Sequence, residues 1–122
     1  MLQNTLSNIK VLFKTKLEMN DATIDSYASL LKNYKIGMWI YPGIIKRKLN
    51  IPIVDVYYSL ALLEEEKIVH SYYEIYCNNC HKSLGYIFEA INEIPYDFEC
   101  ESCHDVFRSL DNTILIYKVI AE

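Results

Sequence analysis

Glycine and proline are scarce, with three of each in 122 residues. So few glycines leave no Gly-rich loop to cradle a phosphate, which sets nucleotide-binding loops aside. No apolar run approaches the roughly 18 residues that a membrane-spanning helix needs. The opening stretch, MLQNTLSNIKVLFKTKLEMN, does not read as a secretory signal, because Lys10, Lys14 and Lys16 interrupt its apolar residues and no small-residue cleavage site follows. A cytoplasmic protein with reduced cysteines is therefore expected, a setting that favours metal over disulfides. Ser, His and Asp occur in no recognisable nucleophilic arrangement, and the run Glu64, Glu65, Glu66 reads as a solvated helix end. No enzyme is expected. Internal repeats, low-complexity tracts and flexible linkers are also missing.

What is present concentrates between Cys77 and Cys103. All four cysteines lie there as two CxxC pairs, Cys77/Cys80 and Cys100/Cys103, with nineteen residues between them. Two sulfurs three positions apart at a tight hairpin tip can bind one ion from the same side. Two such tips supply four thiolates, and the spacing is that of a structural zinc ribbon. One structural Zn²⁺ is the expected cofactor. Four cysteines leave no open position for water, which argues against a zinc hydrolase.

Each pair is followed by a histidine, His81 and His104. CxxCH is also the attachment motif of c-type haem, but that chemistry requires export and would put two haems on a 14.3 kDa chain. The residue after a knuckle sits in a tight turn, so both histidines are expected in left-handed backbone, exposed and bonded locally. His81 or His104 replacing a cysteine ligand, and a redox switch through CxxC disulfides, are the other readings weighed. His70 is read as an ordinary surface or interface residue.

Along the rest of the chain, Leu2, Leu6, Ile9, Phe13 and Leu17 recur at helical spacing, predicting a helix over 2–18. Asp21 or Thr23 is expected to cap a second helix over 22–34. Residues 35–43 read as a short strand and Gly43 to Leu49 as a short helix with Lys46, Arg47 and Lys48 outward. Pro52 suits the first turn of a further helix over 53–66, with Val56, Tyr57, Leu60 and Leu63 inward and Asp55, Tyr58, Ser59 and Leu62 outward. Strands follow at 68–76 and 84–88, and 96–98 and 106–107 lead into and out of the second knuckle. The closing stretch 113–120 is apolar on both faces, so it should be paired, either beside the earlier strand or at a homodimer edge.

Helix, strand, helix, turn, helix, strand resembles the winged helix-turn-helix family over residues 20–76, and PGIIKRKLNIPIVDVYYSLALLEEEKIV carries the likeness. Joined to the four cysteines, the whole is similar to the N-terminal part of the alpha subunit of archaeal transcription factor E, a weak DNA binder that docks on RNA polymerase. Here the ribbon follows the wing strand directly, without that family's longer connection, so polymerase binding does not carry over. The resemblance implies an α+β fold, with an N-terminal winged-helix domain (1–76) and a small β zinc ribbon with a closing strand (77–122).

Charge bears on the partner. Residues 1–50 carry eight Lys/Arg against three acids, and residues 51–122 carry four against thirteen. In a DNA-reading helix-turn-helix the second helix presents Lys, Arg, Asn, Gln or Ser to base edges. Residues 53–66 contain no Lys, Arg, Asn, Gln or His. Carboxylates in that position are repelled by phosphate, while Lys46, Arg47 and Lys48 can give only weak, salt-sensitive backbone contact. The expectation is therefore a non-catalytic adaptor or regulatory subunit docking on a protein partner. Its candidate interface comprises Asp55, Tyr58, Glu64, Tyr72 and Tyr73. A DNA-binding regulator is the alternative. Eleven tyrosines suit such an interface, since the ring can be buried while the hydroxyl stays wet. The Ile-, Lys-, Asn- and Tyr-rich composition is that of an AT-rich source, bacterial or mobile-element.

Overall fold

A computed structural model describes residues 1–122 as an α+β protein with four helices and antiparallel strand pairs. In chain order these are α1 (Gln3–Lys16), α2 (Asp21–Leu31), β1 (Trp39–Ile40), α3 (Pro42–Leu49), α4 (Ile53–Glu65), β2 (Val69–Cys77), β3 (Lys82–Phe88), β4 (Asp97–Glu99), β5 (Val106–Arg108) and β6 (Thr113–Val119). One sheet has the order β1-β6-β2-β3, and β4 and β5 form a second. The closing strand is thus paired on both sides within its own chain. Two compact units result: Met1–His70 with Tyr117–Glu122, and Ser71–Ile116. The closing residues Tyr117–Glu122 therefore group with the helices. No helix is long and apolar enough to cross a membrane.

In the helical unit the core is built from one stripe of each helix. Leu6, Ile9 and Phe13 of α1 meet Ile24, Tyr27 and Leu31 of α2, and the Phe13 and Tyr27 rings lie 5.0 Å apart. Ile45 of α3, Val56, Leu60 and Leu63 of α4, and Ile40 of β1 are also fully buried. The cap of α2 is Asn20, whose side chain accepts from the Thr23 N–H at 2.8 Å, one residue before the expected position. Asp21 sits instead in the first turn and pairs with Lys14 at 2.9 Å. Helix α2 stops at Leu31 because the next N–H groups bond three residues back, Asn33 to Leu30 and Tyr34 to Leu31, which tightens and ends the helix.

Strand β1 is only two residues long, shorter than the stretch before Pro42-Gly43 expected to form it. A turn closed by Met38 N–H to Lys35 O, with Gly37 at φ +92°, takes up the residues before it. Pro42 opens α3 at its first position, one residue earlier than expected. Asn50 ends it in the left-handed region, φ 52° and ψ 50°. Pro52 then serves as the N-cap of α4 rather than a first-turn residue. Helix α4 closes with Lys67 at φ 60°, its N–H on Glu64 O and that of Ile68 on Leu63 O. These two bonds form the usual left-handed stop, with lysine where glycine is commoner.

Two inward assignments on α4 change places. Ser59 is fully buried, whereas Tyr57 is 37% exposed. The inward set is Val56, Ser59, Leu60 and Leu63, an i, i+3, i+4, i+7 stripe that leaves Tyr57 on its flank.

In the second unit β2 and β3 form a hairpin with Tyr73 opposite Phe88 and Cys77 opposite Lys82. The register shifts between Glu74 and Tyr76, where Gly85 on β3 adopts φ +82°, a conformation open to glycine at little cost. Strands β4 and β5 pair Asp97 with Arg108, Phe98 with Phe107 and Glu99 with Val106.

Candidate metal centre

Each CxxC pair occupies the tip of a hairpin. The first joins β2 to β3 and the second joins β4 to β5, so both knuckles are closed by strand pairing at their base. The turns repeat the same bonds. His81 N–H donates to Cys77 O at 2.8 Å, and His104 N–H donates to Cys100 O at 2.7 Å. Both histidines have positive φ, 56° and 58°, and both are exposed, as the knuckle geometry predicted. Cys80 N–H points at Cys77 Sγ at 3.4 Å, which aims a positive dipole at a sulfur that must carry charge.

The four sulfurs lie within 4.8 Å of one another. Cys77 Sγ is 3.8 Å from Cys103 Sγ, and Cys80 Sγ is 3.6 Å from Cys100 Sγ. A tetrahedron with metal–sulfur bonds of about 2.3 Å has edges of about 3.8 Å, so the donor set fits a four-coordinate ion such as Zn²⁺. All four cysteines are free thiols, and their separations are far beyond the ~2.05 Å of a disulfide. The histidines stay outside the cluster, and His104 Nδ1 lies 3.8 Å from Glu99 instead.

The protein's own dipoles divide the thiols. The Asn79 side chain and the Asp105 backbone bring the Cys103 thiol down to about 6. The Cys103 N–H, helped by that of Ser102, also lowers Cys100. Cys80, facing the sulfurs of Cys103 and Cys100, is pushed up to about 12. Four like charges so close cannot coexist without a cation, and a bound divalent ion resolves the conflict by replacing the protons. Four thiolates would fill the coordination sphere of a tetrahedral ion.

Around the cluster, Lys82 Nζ donates to Ser102 Oγ at 2.8 Å and ties one knuckle to the other. Behind it, Phe98 of β4 meets Tyr86 and Phe88 of β3, with ring centroids 5.0 and 6.3 Å apart. The sequence did not single out Asn79, Lys82 or Ser102. Asn79 alone carried a signal, as a polar residue inside a knuckle whose donors can point inward.

The remaining candidates scatter. Lys46, Arg47 and Lys48 are exposed on the last turn of α3, where cations favour the helix dipole. Asp55 and Tyr58 share one groove in the helical unit. Glu64 lies outside that groove and faces His70 at 3.7 Å. Tyr72 and Tyr73 belong to the second unit and are half-buried. No protein-family model matches this chain, and neither a curated protein nor a solved structure does.

Proposed function

We propose that this protein is a non-catalytic, zinc-stabilised winged-helix adaptor that docks on a protein partner in the cytoplasm. Support for the winged helix comes from the order α2, β1, α3, a three-residue turn, α4 and β2, with β6 returning between β1 and β2. In this reading α4 is the helix that a DNA-binding relative would lay in the major groove, and the ribbon is carried between the strands β2 and β6. Zinc is the ion because the donors are four thiolates at tetrahedral separations. It stabilises a unit too small to bury enough apolar surface alone.

The observation that carries the docking role is the outer face of α4. Asp55, Tyr58, Ala61, Leu62 and Glu65 line it, and the helix holds no basic side chain. Such a face repels phosphate and offers apolar area to a protein. The second reading, DNA binding, rests on the exposed Lys46, Arg47 and Lys48. Titration with mixed-sequence duplex at low and moderate salt separates the two. Weak binding without sequence preference, lost as salt rises, is expected; tight binding with a steep salt slope overturns the adaptor role.

A further inference from the structure

Helix α4 carries two apolar stripes, and only one of them is used by the core. Val56, Leu60 and Leu63 face inward and are fully buried. Asp55, Tyr58, Leu62 and Glu65 stand at spacings of three, four and three, so they form a second stripe on another face. Across from it run Lys16, Leu17, Glu18 and Met19, the segment leaving α1. Between them lies a groove of about 560 Å³. Its floor is apolar: Tyr58 is 63% exposed, Ala61 is exposed, and Leu62, Leu17 and Met19 are half-buried.

The rim is acidic. Glu18, Asp55 and Glu65 border the groove against the single cation Lys16. Elsewhere in the helical unit Asp21 pairs with Lys14, Asp25 with Lys10 and Glu64 with His70, while Glu66 and Glu122 have no ion pair. Glu18, Asp55 and Glu65 make no ion pair within the chain. Carboxylates thus stand at both ends of the apolar stripe with nothing of their own to meet. From Asp55 to Glu65 the stripe runs about 15 Å at 1.5 Å per residue, the length of about three helical turns.

We infer that this groove takes an amphipathic helix of a partner protein, with aliphatic side chains at i, i+3, i+4 and i+7 and Lys or Arg at both ends. The inference rests on the docking role proposed above and names the chemistry of its partner. The aliphatic side chains cover Tyr58, Ala61 and Leu62, as in other helix-in-groove complexes. The flanking cations meet Asp55 at one end and Glu65 at the other, with Glu18 on the opposite wall. An acidic helix is rejected by the same three carboxylates, which gives the groove its selectivity.

The test is a displayed library of helical peptides of about 15 residues, varied in charge at both ends and screened against the zinc-loaded full chain. Basic amphipathic peptides should be enriched. Their affinity should fall about tenfold or more with Leu62→Asp, which places a charge in the apolar floor. It should fall comparably with the rim pair Asp55→Lys and Glu65→Lys, of which Asp55 is half-buried and Glu65 exposed, and stay unchanged with Glu93→Lys in the other unit. Zinc content and circular dichroism of each variant check that it folds. Enrichment of acidic peptides, or of none, overturns the proposal. Enrichment that ignores these substitutions overturns the groove while leaving a docking role elsewhere. A concentration-dependent dimer abolished by Leu62→Asp shows a second copy in the groove and also overturns it. Tight, salt-sensitive duplex binding overturns both the groove and the adaptor reading.

Discussion

Tyr27 Oη and Ser59 Oγ lie 2.5 Å apart in the core of the helical unit, and Ser59 Oγ in turn donates to Val56 O at 2.7 Å. The serine proton is committed to that carbonyl, so the tyrosine is the donor in the pair. Burial makes the arrangement costly to disturb and raises the Tyr27 hydroxyl above its ordinary value. Ser59→Ala leaves a buried hydroxyl without its acceptor and should cost about 1–3 kcal/mol. That is about 4–8 °C in Tm per kcal/mol for a unit of this size. Tyr27→Phe and Ser59→Ala together should cost less than their sum, because the second change removes the orphan left by the first. A double-mutant cycle by thermal melting checks this, and strict additivity would contradict the pairing.

The same tyrosine gives a pH dependence. A phenol whose folded value is raised keeps its proton in the native state while the unfolded chain releases it. Its contribution to stability is therefore intact below the unfolded value of about 10 and is lost as pH rises past it. Melts of the parent and of Tyr27→Phe should converge as pH climbs above about 10. Parallel curves across that range would show that Tyr27 is not held neutral.

His81 and His104 stand in left-handed backbone at φ 56° and 58° without belonging to the sulfur cluster. A side chain there costs roughly 1–2 kcal/mol relative to glycine. His81→Gly and His104→Gly should each keep one zinc per chain and hold or raise the melting temperature. Cys77→Ser or Cys103→Ser should instead lose stoichiometric metal. Metal analysis with thiol titration reads both results. Loss of zinc from either histidine variant would make that histidine a ligand.

Uptake of a divalent ion such as Zn²⁺ would displace the protons that these thiols hold. Cys103, at about 6, is already a thiolate at neutral pH, whereas Cys80, at about 12, is not. The logarithm of apparent zinc affinity should therefore rise with pH by fewer than four protons per ion above pH 6, and more steeply below it. Competition with a chelator across this range measures the slope. A full four-proton slope at neutral pH would mean that the Asn79 and Asp105 dipoles do not act on Cys103.

Much of this was legible in the residues, because the signals were local. Two CxxC pairs need only a turn each, and each turn brings its own two sulfurs to one side. The stripes of α1 and α2 were readable for the same reason, as one face of each helix is buried. What stayed hidden depended on distant partners. Ser59 reads as a surface residue until Tyr27, thirty-two positions away, supplies a hydrogen bond. The closing strand is apolar on both faces, and its place between β1 and β2 is set by pairing that no local pattern states. The end of α2 depended on backbone bonds that carry no side-chain mark.

Phe98 stacks in the same compact unit that holds the four candidate metal ligands. Its ring lies 5.0 Å from Tyr86 and 6.3 Å from Phe88, while the side chain itself is only half-buried. Full burial of a phenylalanine would put truncation at about 3–5 kcal/mol, so a half-buried ring should cost less, about 1–3 kcal/mol. If a bound ion holds the unit folded, as the proposed zinc site implies, that loss is masked in the metal-loaded protein. It should surface in the affinity, because binding and folding of the unit share one free energy. Phe98→Ala should therefore weaken zinc by about tenfold for each 1.4 kcal/mol lost, with the sulfur ligands untouched. Phe98→Leu, which keeps most of the apolar area, should recover part of the difference. If chelator competition finds equal affinities for the parent and Phe98→Ala, the ribbon is already folded before the metal arrives, and the ion adds stability without organising the site.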